Sequence, residues 1–423
     1  MILLYREAAS VIQNATDKKG AVKTLVLNCR FKNKKQLQAL VCETLKYRSV
    51  LEKILESTGI QQHEKVLRDK WLALVTVYEF LLGQGFRKDS PYKQAVERHK
   101  AALTAELARM KIQAKAKNNS GLLSDSGASE VTIPRYVRVN TLKVSVKEVI
   151  GYFAREDFTQ VTTSSARFME TVSSLKPRHF FQDPHIPELL VFAAGTDLHD
   201  HTYYKTGLII LQDKASCIPA FALQPPPGSH VVDCCAAPGN KTTHLAAIMQ
   251  NQGRVIAFDR DMKRFSTMNT LIIRAGASCI RSELKDFLKV DPNAHKDVRY
   301  LLVDPSCSGS GDFCELDDFI ESEGGKQEKS RLEKLSNFQA QILKHALAFP
   351  NAERVVYSTC SIHEQENESV VRDVLSQVEE DFELEELLPN FQHRGEGSFR
   401  EAAKCVRMSA EIDATHGFFV ACF

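Results

Sequence analysis

The stretch HVVDCCAAPGNKTTHLA, residues 230–246, decides the fold of this chain, because a short apolar strand runs through a turn into a helix that begins near Lys241. The dipeptide Pro238–Gly239 favours a tight turn, and the small side chains of Ala236–Ala237 let a ligand approach the backbone closely. The glycine pattern matches neither GxGxxG nor a P-loop, which disfavours a phosphate-binding turn. The stretch therefore predicts a strand, a turn and a helix with a ligand at the turn.

Further strands and helices alternate after this unit. The next strand-like runs are RVIAFD (254–259), CIRSEL (279–284), RYLLVD (299–304) and RVVYSTC (354–360). The helix-length segments between and after them are Met262–Ala275, Leu332–Phe349 and Glu364–Gln377. Buried β-branched strands separated by helices are typical of parallel sheets. The sequence therefore predicts an α/β fold, a doubly wound, Rossmann-like sheet over residues 206–423.

Upstream of this sheet the pattern changes twice. Residues 133–205 begin with the alternating run RYVRVN and predict a small α+β subdomain. Residues 114–132 are rich in Gly and Ser and are predicted as a linker, whereas residues 1–113 are predicted as a helical domain. The helical segments are 35–58, 62–82 and 92–112, with Trp71 expected in their core.

The charges are unevenly distributed, although the net charge is only +2. Residues 1–117 hold 23 Lys and Arg against 11 Asp and Glu, whereas residues 312–386 hold 7 against 19. A basic module often binds RNA or DNA, and a solvated lysine-rich helical surface is the alternative interpretation. The side chains expected to grip RNA are Lys18, Lys19, Lys23, Lys32, Lys34, Lys35, Arg87 and Lys88.

A charged insertion, residues 312–331, separates the fourth strand of the predicted sheet from its helix. A loop of this length inside a compact domain is usually functional or disordered. We expect it to be mobile, and a gate over the site is the alternative.

The composition excludes several classes of protein. The chain has 43% hydrophobic and 26% charged residues, as globular proteins do. No apolar run approaches the roughly 20 residues that span a bilayer, and no signal peptide is recognisable, so a cytosolic or nuclear protein is expected. The 11 cysteines are scattered and odd in number, which argues against a disulfide framework and against a structural zinc site.

Acidic residues stand at the ends of three successive strands. Asp259 ends the second strand, Asp286 follows the third, and Asp304 ends the fourth. Ligands of open α/β sheets bind beyond the carboxyl ends of the strands, where a carboxylate such as Asp259 can accept the hydroxyls of a ribose. With Asp286 placed to meet an adenine edge, the layout predicts a nucleoside ligand without phosphates, and S-adenosylmethionine is the most consistent candidate.

Two cysteines stand just past strand ends. Cys307 lies in VDPSCSGSG (303–311) and Cys360 in VYSTCSIHEQENE (356–368). One such thiol alone is more simply explained as a core residue. Both together, in turns rich in Pro, Ser and Gly, indicate that the two thiols face the same crevice as the cofactor.

Paired thiols suit the methylation of cytosine at C5. This carbon is a poor nucleophile until a thiolate adds at C6; afterwards a base must remove the C5 proton and the thiolate must leave. Asp304 could stabilise the charge that develops on the ring. Lys241 could lower the pKa of a nearby thiol or pair with Asp304 instead. The residues alone leave the order of the two thiols open.

The motifs resemble those of the Sun-domain (Fmu/RsmB-like) family of RNA cytosine-5 methyltransferases. The matching stretches are PRYVRVNTLK (134–143), LQDKASC (211–217), DCCAAPGNKTTHLA (233–246), FDRDMKR (258–264), LLVDPSCSGSG (301–311) and VYSTCSIHEQENE (356–368). They cover about residues 133–423. The N-terminal KNKKQLQALVCETLKYRSVL and the variants CAAPGNK and DPSCSGSG resemble the eukaryotic subfamily that methylates large-subunit ribosomal RNA.

The resemblance implies a role for each matching residue. Cys360 would be the nucleophile, Cys307 would assist release of the methylated product, and Asp304 would lie beside the target base with Lys241 nearby. The implied cofactor contacts are Cys235, Ala236, Ala237, Pro238, Gly239, Asn240, Lys241, Asp259, Arg264, Asp286 and Asp304. Residues 133–205 would form the family's RRM-like subdomain, and residues 206–423 its methyltransferase domain.

Two positions depart from the family pattern. The usual Asp-Ala-Pro-Cys is here Asp304-Pro305-Ser306-Cys307, and the usual second glycine of the first loop is Asn240. Neither change removes a reacting group, so activity is expected.

Other functions fit the sequence less well. A catalytically vestigial ribosome-assembly factor would not need Asp304, Cys307, Cys360 and Lys241 intact. A DNA cytosine methyltransferase would carry a target-recognition domain between the motifs, and a small-molecule methyltransferase would need neither the thiol pair nor the basic module. The resemblance implies ribosomal RNA and pre-ribosomal particles as partners and a nuclear, nucleolar location; we expect a monomer, no metal and no membrane.

Overall fold

A computed structural model describes residues 2–17, 22–86, 88–116, 118–122, 132–311, 325–378, 380–397 and 399–423. Lys18, Lys19 and Arg87 lie outside these residues, as do the side chain of Lys23, residues 123–131 of the predicted linker and residues 312–324 of the predicted insertion. The described residues form two compact units, one over residues 2–122 and 325–328 and the other over 132–311 and 329–423.

The N-terminal unit is helical, as predicted. Its α-helices are Ile2–Thr16, Val22–Asn28, Lys34–Lys46, Arg48–Thr58, Ile60–His63, Lys70–Leu81, Pro91–Arg98 and Lys100–Gln113, with short 3-10 turns at Lys65–Leu67 and Ser120–Leu122. Each predicted segment is interrupted; the segment 35–58, for example, breaks at Tyr47. Trp71, expected in the core, is only half-buried and packs against the core of this unit, with the charged groups of Arg48 and Lys70 lying 5.2 and 5.4 Å from its ring centre.

The α+β subdomain contains a five-stranded sheet. Its strands are β1 (Arg135–Val139), β2 (Thr159–Gln160), β3 (His179–Gln182), β4 (Leu189–Phe192) and β5 (Ile209–Leu211). They lie in the order β2-β3-β4-β1-β5, and β1 runs antiparallel to both β4 and β5. The accompanying helices are Val146–Arg155, Phe168–Ser174 and Thr202–Lys205, with a 3-10 turn at Ser165–Arg167. The rings of Phe153, Phe180 and Phe192 form the centre of its core.

The large sheet has seven strands. They are β6 (His230–Asp233), β7 (Arg254–Asp259), β8 (Ile280–Leu284), β9 (Tyr300–Val303), β10 (Arg354–Thr359), β11 (Val406–Met408) and β12 (Phe418–Cys422), in the order β11-β12-β10-β9-β6-β7-β8. The strands β6–β10 are parallel, as predicted. The sheet as a whole is mixed, because β12 runs antiparallel to both β10 and β11.

Helices cover both faces of this sheet, which confirms the doubly wound architecture. They are Lys214–Leu223, Asn240–Ile248, Met262–Ala275, Gly325–Leu347, Glu368–Val378 and Ala410–Asp413, with 3-10 turns at Phe287–Lys289, Pro292–His295, Glu364–Glu366 and Arg400–Lys404. Successive strand residues point to opposite layers: Val231 belongs to one core cluster and Val232 to another. Both neighbours are buried, so the strand has no polar face.

Two predicted helix boundaries are wrong. The helix predicted over Leu332–Phe349 runs over Gly325–Leu347. Residues 326–331, KQEKSR, lie in the predicted insertion, but most of them are good helix formers and extend the helix toward its N-terminus. The helix predicted over Glu364–Gln377 begins at Glu368, after a 3-10 turn and the non-helical residue Asn367. Within the described ranges, no helix combines the length and the apolar character needed to cross a bilayer.

Candidate active site

The turn after β6 is held by hydrogen bonds from two neighbouring segments. The backbone N–H of Ala237 donates to Asp259 Oδ2 at 3.1 Å, and the guanidinium of Arg264 donates to the carbonyl of Ala237. Gly239 has φ of 105°, a region that favours glycine, and a Cβ there would lie 3.0 Å from Cγ of Met268. The structure thus brings the predicted residues of this turn together with Asp259 and Arg264.

A cavity of about 230 Å³ lies at the carboxyl ends of β6, β7, β8 and β9. Its lining residues are Cys234, Cys235, Asp259, Arg260, Asp261, Arg264, Lys285, Asp286, Phe287, Ser306, Phe338 and Ile342. Four predicted cofactor residues line it: Cys235, Asp259, Arg264 and Asp286. The other predicted contacts, Ala236–Lys241 and Asp304, are not among its lining residues.

Asp259 is buried at the wall of this cavity. One of its oxygens accepts from the N–H of Ala237, and the other accepts from the N–H of Asp261 at 2.8 Å. A carboxylate oxygen has two lone pairs, so each can still accept one more donor. Asp259 is therefore both an anchor of the turn and a potential acceptor for two hydroxyl groups.

Sequence reasoning missed the apolar wall of the cavity. Phe338 and Ile342 belong to the helix Gly325–Leu347, and the guanidinium of Arg260 lies 5.2 Å from the centre of the Phe338 ring. The spacing of four residues places both side chains on one helix face, a signal visible in the sequence. What the spacing could not show is that this face meets the cavity.

Lys241 and Asp304 form an ion pair beside the cavity. Lys241 Nζ donates to Asp304 Oδ2 at 2.7 Å, and Ser358 Oγ donates to Asp304 Oδ1 at 2.7 Å. Burial lowers the pKa of Lys241, but the attraction of Asp304 and the hydrogen bond to it outweigh burial, so the pKa is raised overall. Of the two roles that the sequence left open for Lys241, the structure shows the pairing with Asp304.

The two thiols of the sequence motifs are neighbours. Sγ of Cys307 and Sγ of Cys360 lie 3.1 Å apart. The hydrogen bond with Cys360, burial and the negative charge of Glu366 all raise the pKa of Cys307 well above its usual range. Cys307 is therefore a protonated thiol at neutral pH, and its S–H can point at the sulfur of Cys360.

Close backbone packing fixes the turns that carry these thiols. The N–H of Gly311 donates to the carbonyl of Cys360 at 2.9 Å, and the N–H of Gly417 donates to the carbonyl of Gly311 at 2.8 Å. A Cβ on Gly311 would lie 1.9 Å from the carbonyl oxygen of Gly417, so only glycine fits there.

Arg138 links the α+β subdomain to the cofactor turn, and sequence reasoning did not single it out. It is fully buried on β1, and its guanidinium donates to Gln212 Oε1 at 2.7 Å, Thr243 Oγ1 at 3.1 Å and the carbonyl of Asn240 at 3.3 Å. Burial lowers its pKa to about 10. The subdomain thus supplies a donor to the first turn of the helix Asn240–Ile248.

No set of three His, Cys, Asp or Glu side chains suited to a metal ion is present in the part of the chain that the structure describes. A larger groove of about 800 Å³ in the N-terminal unit contains none of the predicted site residues.

Three family models match successive parts of the chain. The model described as 16S rRNA methyltransferase RsmB/F matches residues 220–423. Two models of NOL1/NOP2/Sun domain family member 5, its N-terminal domain and its ferredoxin-like domain, match residues 35–123 and 133–212.

Several curated proteins are similar to the chain over nearly its whole length. The 28S rRNA (cytosine-C(5))-methyltransferase of Mus musculus is 47% identical, covering 99% of this chain and 90% of the mouse protein. The 26S rRNA (cytosine-C(5))-methyltransferase nsun-5 of Caenorhabditis elegans is 38% identical, covering 99% and 97%. The 25S rRNA (cytosine-C(5))-methyltransferase rcm1 of Schizosaccharomyces pombe is 37% identical, covering 99% and 90%.

A solved structure shares the fold. The crystal structure of PH0851 superimposes with a TM-score of 0.65 and 21% sequence identity, covering 99% of this chain and 98% of that one.

Proposed function

Because the chain belongs to the RsmB/F (Sun) methyltransferase family, in its NSUN5 subfamily, we propose that it methylates C5 of a cytosine in large-subunit ribosomal RNA with S-adenosylmethionine as the methyl donor. The observation that carries the chemistry is the pair of thiols 3.1 Å apart beside Asp304 and Lys241. An active site that works with one thiol, or with none, would not need two cysteine side chains in contact.

The cavity residues fit the cofactor. S-adenosylmethionine supplies an electrophilic methyl group and carries a ribose, an adenine and an amino-acid tail. Asp259 would accept the ribose hydroxyls with its free lone pairs, and Asp286 would meet the adenine edge. Phe338 and Ile342 offer an apolar surface for the adenine ring. The turn Cys235–Lys241 and Arg264 would hold the tail.

Cys360 is the proposed nucleophile. Its thiolate adds to C6 of the cytosine; a bond forms from Sγ to C6, and the electron pair of the C5–C6 double bond shifts toward C5 and the ring. Asp304 lies beside the base in this proposal. Lys241 and Ser358 each donate to one oxygen of Asp304. This pairing keeps the ammonium group of Lys241 beside the base, where it would stabilise the negative charge that develops on the ring.

Cys307 is proposed to assist release of the product. Once C5 carries the methyl group, its proton passes to a base, the C5–C6 double bond reforms and the bond from Sγ of Cys360 to C6 breaks. The leaving sulfur becomes a thiolate. The S–H of Cys307, which keeps its proton because its pKa is raised, is placed to donate to that thiolate.

The RNA-binding parts of the molecule are a second element of the proposal. Lys32, Lys35 and Lys88 are exposed on the N-terminal unit, and Lys34 is half-buried with its amine donating to the carbonyl of Cys29. Contacts with phosphates would supply the energy for flipping the target base, a cost of a few kcal/mol. We further propose that the protein acts as a monomer on pre-ribosomal particles in the nucleolus of the cell nucleus.

The two thiols are tested by incubating the protein with labelled S-adenosylmethionine and total RNA. We expect Cys360→Ala to form no 5-methylcytosine and Cys307→Ala to accumulate a covalent complex with RNA. Cys279→Ala, which changes a half-buried cysteine in the turn before β8, is the matched control and should behave as wild type. Full activity of Cys360→Ala would contradict the mechanism, and RNA binding without methylation by the wild type would favour a ribosome-assembly factor.

A further inference from the structure

Glu366 lies buried between the two turns that carry the thiols. Its Oε1 accepts from the backbone N–H of Ser308 at 2.9 Å, and its Oε2 accepts from the hydroxyl of Ser361 at 2.6 Å. Ser308 directly follows Cys307, and Ser361 directly follows Cys360. One carboxyl group therefore binds the residue after each thiol.

Each oxygen of this carboxyl group has donors of its own. Oε1 also accepts from the side-chain amide of Gln339 at 2.8 Å. The backbone N–H of Ser308 and the amide N–H of Gln339 can only donate, so Oε1 is the acceptor in both bonds. The hydroxyl of Ser361 accepts from the N–H of His363 at 3.1 Å and from the hydroxyl of Ser308 at 3.2 Å, lies 3.2 Å from Ser310 Oγ, and donates to Oε2 over the shortest of these distances. Both oxygens of Glu366 thus act as acceptors.

The carboxylate has only neutral donors around it. No Lys, Arg or His of the described residues forms an ion pair with Glu366, and a buried charge without a cation is costly unless hydrogen bonds satisfy it. Its backbone is fixed as well, since the hydroxyl of Tyr357 donates to the carbonyl of Glu366 at 2.6 Å. The group cannot leave the thiol turns without breaking these bonds.

We propose that Glu366 is a positioning residue that holds the turn of Cys307 against the turn of Cys360 and so keeps the two sulfurs paired. This inference rests on the proposed function, in which the two thiols act in succession on one cytosine. Gln339 extends the same link to the helix Gly325–Leu347, because its amide also donates to the carbonyl of Ser306 at 3.1 Å.

The charge of Glu366 acts on Cys307 directly. The titratable groups around Cys307 are Cys360, Glu366 and Tyr357, and the pair of Lys241 and Asp304 lies beyond Cys360. The hydrogen bond with Cys360 and burial raise the pKa of Cys307 most, and the negative charge of Glu366 adds to them. Neutralising Glu366 should therefore let Cys307 lose its proton at a lower pH.

The variant Glu366→Gln tests the proposal. A glutamine keeps the size of the side chain and removes its charge: its oxygen can accept the two N–H donors, and its amide can donate to Ser361 when the hydroxyl of Ser308 turns to Ser310 Oγ, 3.1 Å away. We expect the midpoint of Cys307 alkylation by iodoacetamide, followed peptide by peptide over a pH series, to move to lower pH. We also expect turnover to fall about 10-fold, because hydrogen bonds to a neutral amide hold the two turns more weakly than bonds to a carboxylate. The covalent RNA complex should accumulate, while the KM for S-adenosylmethionine stays as in wild type.

Two further variants complete the test. Glu364→Gln removes an exposed carboxylate two residues away and should change neither thiol. Ser361→Ala leaves Glu366 in place and removes the bond to Oε2, together with the contacts of the Ser361 hydroxyl with Ser308, Ser310 and the N–H of His363. It should lower turnover in the same direction, which keeps the proposal testable if Glu366→Gln fails to fold. Wild-type alkylation and turnover in both Glu366→Gln and Ser361→Ala would overturn it. The alkylation needs neither RNA nor cofactor, so it decides on Glu366 even if the wild type proves not to methylate RNA.

Discussion

At the scale of single residues, Asp233 makes the stability of the molecule depend on pH. It is buried at the end of β6, with Oδ2 accepting from Thr242 Oγ1 at 2.8 Å and Oδ1 without a partner among the described residues. Burial raises the pKa of Asp233 from 3.8 to about 7, although the bond from Thr242 opposes the shift. The folded protein therefore holds this proton more tightly than the unfolded chain.

The contribution of Asp233 to the free energy of unfolding is complete below about pH 4 and is lost as the pH rises to about 7. Asp233→Asn keeps the bond from Thr242 and removes the titration. Between these pH values, the wild type should lose on the order of 4 kcal/mol relative to the variant. Urea unfolding of both proteins at a series of pH values measures the difference; parallel curves would refute the assignment.

Asp259 is expected to govern cofactor affinity. Asp259→Ala removes the acceptor for the N–H groups of Ala237 and Asp261 together with the proposed ribose contact. Calorimetric titration with S-adenosylmethionine should show an affinity lower by about 10- to 100-fold. Asp297→Ala, at the amino end of the sheet where Asp297 pairs with His230, is the control. An equal loss in both variants would mean that Asp259 acts only through stability.

At the scale of secondary-structure elements, the sequence predicts what local pattern determines. The strands β6–β10 are apolar runs between helices, and parallel strands place their ends at one edge, so Cys307, Cys360, Asp304 and Lys241 could be expected together. The position of β12 between β10 and β11 could not be predicted. The strand Phe418–Cys422 is buried throughout, so it lacks the polar–apolar alternation that marks an antiparallel strand. The contacts of Arg138 and Phe338 likewise arise only from tertiary packing.

A buried ion pair joins the helix Glu368–Val378 to β11. Arg407 Nε and Nη2 donate to the two oxygens of Glu368 at 2.6 and 2.7 Å, and Arg407 Nη1 donates to the carbonyl of Ile362 near Cys360 at 2.9 Å. Arg407→Met leaves Glu368 buried and unpaired, which should lower the free energy of unfolding by about 3–5 kcal/mol.

The double variant Glu368→Leu/Arg407→Met checks this cause. Because it removes both charges, we expect it to recover part of the lost stability in urea unfolding. A double variant less stable than Arg407→Met alone would show that packing, rather than the unpaired charge, accounts for the loss.

At the scale of the whole molecule, the charge distribution predicts how RNA binding depends on salt. Lys32, Lys35 and Lys88 are exposed cations of the N-terminal unit. Replacing all three by Gln should reduce the slope of log affinity against log salt by about 2, since each phosphate contact on a single strand contributes about 0.7. Fluorescence anisotropy with ribosomal RNA fragments over a NaCl series measures the slope.

Deletion of residues 1–117 should reduce this slope further than the triple substitution does. A slope that remains at the wild-type value in both proteins would place RNA binding elsewhere on the chain. Cofactor affinity serves as the control, because the cavity lies wholly within the other unit.

The reach of Arg138 from β1 to the carbonyl of Asn240 has an evolutionary consequence. A subdomain can be exchanged in evolution only if the catalytic domain does not depend on hydrogen bonds from it. Here the cofactor turn depends on a buried guanidinium, so a different fold in place of residues 133–212 would remove a charged donor to the carbonyl of Asn240 and to the hydroxyl of Thr243. Changes on the surface of this subdomain should therefore be tolerated in evolution more readily than its replacement.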